Sequence, residues 1–428
     1  MSSSQNGASG PTRAKDAAPF PWTGMLALAA AAFLAVTSET LPTGLLPEIA
    51  AGLHSTTPET GMLVSVYAFT VVVAAAPLTA LTRRIPRRLL VVIVIVVIGL
   101  SSLLLAVSPN YGVAVVARIT GGMAHGVFWA VTGAYAGHIV PSHQLARAVS
   151  ITSGGVSLAL ILGAPLATIL GHAVGWRIAF AVVGCLLVVG SVVVGTMLPK
   201  ASAAQAQAMT GGVPTVTSGF ALRRDPSIRP VIVVCVLTGL VTLGSFTLNA
   251  YIAPFVADAM GLGTGAVGPM LFVGGLMGAV GVVLVGTWLG RSPGRSAAFC
   301  LVFTAVGVAV LAVVPGVPPV AISAFALWAL AFGCLPPLLQ TQLLHAASAR
   351  FRDTASALYT TSFNVGIGGG AVIGGAVYAV LGIDAVPWTA LVILVIALIM
   401  FGVTARARSR SQPGVDRDTE MRAGPEAA

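Results

Sequence analysis

The sequence predicts an all-α membrane protein: twelve transmembrane helices in two homologous six-helix bundles. Three observations lead there. Only 8% of the 428 residues are charged and 57% are hydrophobic, against about 25% charged in soluble proteins. Apolar runs of bilayer-spanning length, about 20 residues, recur some twelve times between polar or Pro/Gly breaks. The chain also matches itself at a single offset of 207 residues, as from Ser38 to Ser245.

The elements follow in order. Residues 1–21 are polar and rich in Gly and Ser, a composition that predicts disorder. Span one, 24–46, is too long for the core of a signal peptide, and further apolar spans follow at once. Spans two to six are placed at 60–81, 89–107, 111–137, 149–171 and 177–198, which makes 22–198 one bundle. The longest internal break, 199–230, holds a polar Ala/Gln/Thr/Gly stretch and Arg223-Arg224-Asp225-Pro226, and reads as a linker. Spans seven to twelve, at 231–254, 265–288, 296–314, 318–340, 355–380 and 386–404, form the second bundle, 231–404. The charged, apolar-poor tail 405–428 again predicts disorder.

The offset of 207 also takes Pro47 to Pro254, Gly126 to Gly333, His138 to His345, and Arg84-Ile85-Pro86-Arg87-Arg88 to Arg291-Ser292-Pro293-Gly294-Arg295. A duplicated six-helix unit is the physical reading, and it places a site between the halves near the midplane. Loop charge sets orientation. Arginines cluster after spans two, four, six, eight, ten and twelve, while the alternate loops carry Glu48, Glu59, Asp258 and Asp384 with only Arg177 as a base. The positive-inside rule puts both termini in the cytoplasm. The formal charge of +10 is therefore topological, and no nucleic-acid partner is expected.

Deep ionisable residues are few. Glu39 sits in the second half of span one, just before Pro42 and Gly44. A charge at the bilayer centre costs at least ~2.5–3.5 kcal/mol, so such residues face cavities, pair or bind protons. Arg118 lies seven residues into span four, a depth of ~10 Å at 1.5 Å per residue, and matches Glu39 in depth. A Glu39–Arg118 pair is the expectation, either as a proton-coupling element or as a fixed contact. His125 shares a face of that helix with Arg118, Gly121, Gly122 and Trp129, a candidate cavity lining. Histidine side chains titrate near neutral pH and can relay protons, or sit neutral against a neighbouring helix. Asn249 and Asn364 are candidate cavity residues of the second half, or helix cross-links.

Span five carries Gly155, Ala159, Gly163, Ala167 and Gly171 at every fourth position, with Pro165 among them, and span eleven repeats the stripe with Ser362, Gly366, Gly370 and Gly374. Small-residue stripes pack helices backbone to backbone. The sharper expectation is a gate, with the stripe sealing the two halves together. The four cysteines read as small core residues, not disulfides or metal ligands. There is no Walker A motif, no HExxH, no GxSxG and no metal-ligand cluster, so no enzyme, metal or cofactor is expected.

On these residues the chain resembles the major facilitator superfamily, in its drug:proton antiporter branch, over roughly residues 24–404. Ser38-Glu39 through Gly44-Leu45-Leu46-Pro47 resembles that branch's first helix, whose acid is implicated in proton coupling. Ala117-Arg118 with Gly121-Gly122 and Gly126 resembles its fourth-helix motif. Gly163-Ala164-Pro165 resembles the fifth-helix antiporter motif, and Gly175-Trp176-Arg177 with Phe180 the turn into helix six. The loop after helix two departs from the family's Gly-xxx-Asp-Arg-x-Gly-Arg-Arg pattern. Thr79, Arg83 and Pro86 replace the two glycines and the acid, while Arg84, Arg87 and Arg88 remain. The resemblance implies a monomeric exporter in the cytoplasmic membrane. It would move a drug- or antibiotic-like small molecule outward against protons, with the proton gradient as its energy source. A sugar or nucleoside exporter is the alternative within transport, and a non-transporting receptor or scaffold the alternative outside it.

Overall fold

The computed structural model describes residues 20–139, 144–198, 225, 227–348 and 351–410. The expected tail over 1–19, the linker over 199–224 and the tail over 411–428 lie outside the described residues. Among the described residues, twelve helices are long and apolar enough to cross a membrane. They are α1 Trp22–Gly44, α2 Thr57–Leu81, α3 Arg87–Ala106, α4 Tyr111–Ile139, α5 Arg147–Val174 and α6 Trp176–Met197 in the first half. The second half holds α7 Ile228–Asn249, α8 Val267–Thr287, α9 Pro293–Val313, α10 Pro318–Ala346, α11 Arg352–Leu381 and α12 Ala385–Arg410. No strand occurs among the described residues.

Helix packing repeats between the halves. α1 lies against α5 and α6, α2 against α4, and α3 against α4 and α6. The partners at the offset of 207 do the same: α7 with α11 and α12, α8 with α10, and α9 with α10 and α12. Each half has its own apolar core, the first from Met25 to Leu198 and the second from Val231 to Ala397. Even the punctuation repeats, since the 3₁₀ turn Thr82–Arg84 recurs as Leu289–Arg291 at the same offset.

Two predicted spans end early for a local reason. α1 stops at Gly44 and a short helix, Leu46–Leu53, starts afresh beyond Leu45. α7 stops at Asn249, and the chain turns at Tyr251 before Ile252–Pro254. Pro42 and Pro47, and Pro254 in the second half, lack the N–H that would carry the helix on. α5 is broken differently: Pro165 gives no hydrogen bond to the turn before it, and Ala159–Gly163 widens into a π turn closed by Ala164 N–H on the Ala159 carbonyl.

The glycine stripe of α5 faces α1, inside its own bundle. A methyl group at Gly155 would lie 2.8 Å from the Ala29 carbonyl carbon, at Gly163 3.2 Å from Thr37 Cβ, and at Gly171 2.8 Å from Leu45 Cδ2. Gly366, Gly370 and Gly374 of α11 likewise face Thr242, Leu243 and Thr247 of α7. The stripes pack helices within each half, and the expectation that they seal the halves together is corrected. Cys185 also departs from the core reading: it is exposed on α6, while Cys235, Cys300 and Cys334 are buried. Because Gly155 meets backbone, which cannot move aside, Gly155→Val should cost about 1–3 kcal/mol and lower the thermal midpoint in detergent. Gly154→Val, with nothing within 4 Å of the added carbon, should leave the midpoint in place.

The halves meet elsewhere. α2 packs on α11, and α5 on α8. Ser65 donates to the Gly368 carbonyl at 2.8 Å. Tyr251 donates to the Ala371 carbonyl at 2.9 Å and lies 3.3 Å from that of Pro58. With Leu46, Val64, Ala68, Ala250, Ile367 and Ala371, Tyr251 makes a third apolar cluster at this seam. On the other side, Gly268 and Gly275 of α8 admit Ile169 and the backbone at Leu160 of α5. The contacts at Pro58, Ser65, Tyr251, Gly268 and Ile169 lie toward the ends of the helices away from the arginine-rich loops, with Gly275 and Leu160 nearer mid-helix, so the two bundles are joined from the middle toward the acidic end. Nearer the arginine-rich end, Thr360 and Thr361 of α11 are exposed.

Candidate functional site

The site is built where α1, α2 and α4 converge. α1 is fixed beside α3 by the Ser38 and Ser102 hydroxyls, 2.7 Å apart. Gly121 and Gly122 bring α4 close to α2: a methyl at Gly122 would lie 2.8 Å from the Tyr67 carbonyl, and one at Gly121 3.2 Å from the Tyr67 ring. The missing side chains make room for Tyr67 to lie between Arg118 and His125.

Arg118 is buried and serves three helices. It donates to the carbonyls of Leu63 at 3.3 Å, Ser38 at 3.4 Å and Glu39 at 3.2 Å. Its guanidinium lies 4.0 Å over the Tyr67 ring. Pro42 explains one of these bonds. It has no N–H, so the Ser38 carbonyl four residues earlier has no helical donor, and Arg118 supplies one. The predicted Glu39–Arg118 pairing is thus made through the backbone of Glu39.

The Glu39 carboxylate turns instead to His125. Oε2 lies 3.2 Å from Nε2, with Glu39 23% exposed and His125 3%. Trp129, one turn further along α4, donates its indole N–H to the same Nε2 at 2.7 Å. His125 packs edge-on to Tyr67 at 5.4 Å and to Trp129 at 5.9 Å. His125 Nδ1 and the Tyr67 hydroxyl are buried with no hydrogen-bond partner among the described residues. The arrangement is a carboxylate and an imidazole in contact, within a stack of aromatic rings and beside one fixed cation. Chemically it can hold, share or pass a proton.

The other predicted residues lie apart from this cluster. Asn249 is part-buried at the end of α7, and no described contact joins it to Glu39. Asn364 donates to its own helix, to the Thr360 carbonyl at 3.0 Å. Pro165 lies on the α5–α8 seam, its carbonyl 3.4 Å from where a Gly268 methyl would stand. In the basic loop Arg84 is exposed and Arg87 buried, and Arg88 Nε donates to the Gly195 carbonyl at 2.9 Å. Arg177, at the opposite end, holds the Gly52 and Ser108 carbonyls at 3.2 and 2.8 Å.

Sequence reasoning missed three residues. Tyr67 and Tyr251 carry no charge and stand in apolar runs, so nothing marked them out. His172 pairs with Glu48, Nδ1 to Oε1 at 2.9 Å. A histidine near the end of span five, with an acid in the loop after span one, was the available signal.

Two repeated six-helix bundles of membrane-spanning length, with buried charge in the first, are the architecture of a membrane transporter. The chain belongs to the Major Facilitator Superfamily, whose family model matches residues 28–368 and 295–426. It is 30% identical over 383 residues to a protein of Mannheimia succiniciproducens named "Probable sugar efflux transporter", covering 88% of this chain and 92% of that one. A Helicobacter pylori protein of the same name is 30% identical over 352 residues, covering 82% and 87%. Among solved structures, a bacterial homologue of the human lysosomal transporter Spinster, inward-facing and unoccupied, superposes with a TM-score of 0.75 at 14% identity, covering 93% of this chain and 99% of that one. A peptide transporter superposes with a TM-score of 0.73 at 16% identity, covering 90% and 94%.

Proposed function

We propose that the protein exports a sugar, or a similarly polar small organic molecule, in exchange for protons. The observation that carries this reading is the Glu39–His125 contact, 3.2 Å long and set within a membrane-spanning bundle. The names of the two relatives favour the sugar cargo over the drug-like one that the first-helix and fifth-helix motifs suggest. Glu39 and His125 bind the proton, and Arg118 holds α1, α2 and α4 in register around them. The proton gradient is the energy source, no cofactor takes part, and the working unit is a monomer.

With the arginine-rich loops in the cytoplasm, both termini lie on the cytoplasmic side of the cell membrane and the closed acidic end faces outward. The described state is then inward-facing. Substrate enters from the cytoplasm and the proton leaves the dyad. The seams α2–α11 and α5–α8 part, and reprotonation from outside returns the carrier. The proton neutralises a buried charge and so alters the relative stability of the two conformations.

The test is transport in proteoliposomes. Labelled mono- and disaccharides, with a panel of antibiotics in parallel, are offered under an imposed proton gradient. Uphill movement of at least one sugar, abolished by a protonophore, is the expected result. Movement that ignores the gradient would refute coupling, and movement of antibiotics alone would refute the cargo.

A further inference from the structure

His125 Nε2 is claimed twice. Trp129 Nε1 lies 2.7 Å away and Glu39 Oε2 3.2 Å away. An imidazole nitrogen carries either one in-plane lone pair or one hydrogen. The indole N–H can only donate, so its bond needs the lone pair bare. An ionised carboxylate can only accept, so its bond needs the hydrogen. The two contacts exclude one another.

A histidine's tautomer is usually set by the bond its other nitrogen makes. Here Nδ1 is buried and unpartnered, so whichever group holds Nε2 decides. The titratable and charged groups around the ring are Glu39 from α1, Tyr67 from α2 and Arg118 from α4. From α3, the uncharged Ser101 and Ser102 face the cluster.

We propose that Trp129 is a positioning residue that competes with the transported proton for His125 Nε2. This rests on the reading of Glu39 and His125 as the proton site. In the unloaded site the indole N–H occupies the Nε2 lone pair and Nδ1 carries the ring's hydrogen. When a proton arrives at Nε2, the N–H···N bond to Trp129 breaks and the new N–H turns to the Glu39 carboxylate. The imidazolium charge is balanced by that carboxylate. The released indole, part-exposed on α4, is free to turn away. Loading and unloading thus switch a large aromatic side chain between two settings.

Trp129→Phe keeps a ring and deletes only the competing donor. A hydrogen bond of this kind is worth about 0.5–1.5 kcal/mol, so the midpoint of the pH profile of sugar binding should move upward by roughly 0.4–1.1 pH units at 1.36 kcal/mol per unit. The wild type should also show a pH-dependent indole emission that Trp129→Phe lacks. An unmoved profile in a folded Trp129→Phe protein would overturn the inference.

The second measurement needs no variant. The ¹⁵N shift of His125 Nε2 in the wild type should report a bare nitrogen at high pH and a protonated one at low pH. Protonation of Nε2 at both would overturn the inference. The proton site itself is judged separately: proton release that survives Glu39→Gln removes the site and this inference with it. Release lost in Glu39→Gln beside an unmoved Trp129→Phe profile removes this inference alone.

Discussion

Glu39→Gln should abolish uphill efflux and leave exchange intact. The amide is close to the protonated carboxyl in shape, and Arg118 binds the Glu39 backbone carbonyl, which the substitution keeps. The bundle therefore still folds, and the thermal midpoint changes little. What goes is the carboxylate that balances the imidazolium. Without it His125 cannot hold the proton as half of a buried ion pair, and the carrier loses its proton-dependent preference between conformations. Gradient-driven accumulation should fall by more than about tenfold, the factor that a loss of ~1.4 kcal/mol of bias produces. Sugar-for-sugar counterflow, which needs no net proton movement, should persist. Accumulation at wild-type rates would remove Glu39 from the mechanism.

The second large effect lies on the α5–α8 seam. A methyl at Gly275 would stand 2.8 Å from Ile161 Cα and 2.5 Å from the Leu160 carbonyl carbon. Both neighbours are backbone, in the stretch that the π turn before Pro165 has already widened. Gly275→Leu should drive α8 away from α5 and penalise the state closed at the acidic end. Overpacking of this sort costs about 1–3 kcal/mol, which shifts a two-state equilibrium by roughly 5–150-fold. Thr168 is buried where Gly44 of α1 meets both it and Leu271 of α8, so Thr168→Cys in a background without the four native cysteines reports the shift. Its labelling by an impermeant maleimide should rise sharply when Gly275→Leu is added. Unchanged labelling would mean that the seam does not hold this state closed.

The fold was legible because membrane helices announce themselves. In lipid every backbone polar group must be satisfied within the helix, so the apolar runs and their Pro/Gly and arginine breaks mark the spans to within a few residues. The duplication was legible through point matches such as Arg84–Arg88 with Arg291–Arg295, and the repeated 3₁₀ turn is its structural counterpart. The ends of α1 and α7 were misplaced because hydropathy continues through Leu45 and Ile252 while the prolines interrupt the backbone.

The candidate site was legible in its members and not in its pairing. Glu39, Arg118 and His125 stand out as rare charges in apolar runs. Depth arithmetic puts Arg118 level with Glu39, but it does not say which atoms meet. The carbonyl left bare by Pro42 draws the guanidinium to the backbone of α1, and the carboxylate is left to His125. The stripe on α5 shows a related limit. Small residues say that something approaches closely, and only the packing says that it is α1 and not α8.

On the proposed mechanism, one proton leaves the Glu39–His125 site when substrate binds. Calorimetry of sugar binding to the purified protein, repeated in buffers of different ionisation heat, counts that proton directly. About one proton should be released per sugar bound in the wild type and none in Glu39→Gln. Equal release from the two proteins would contradict it.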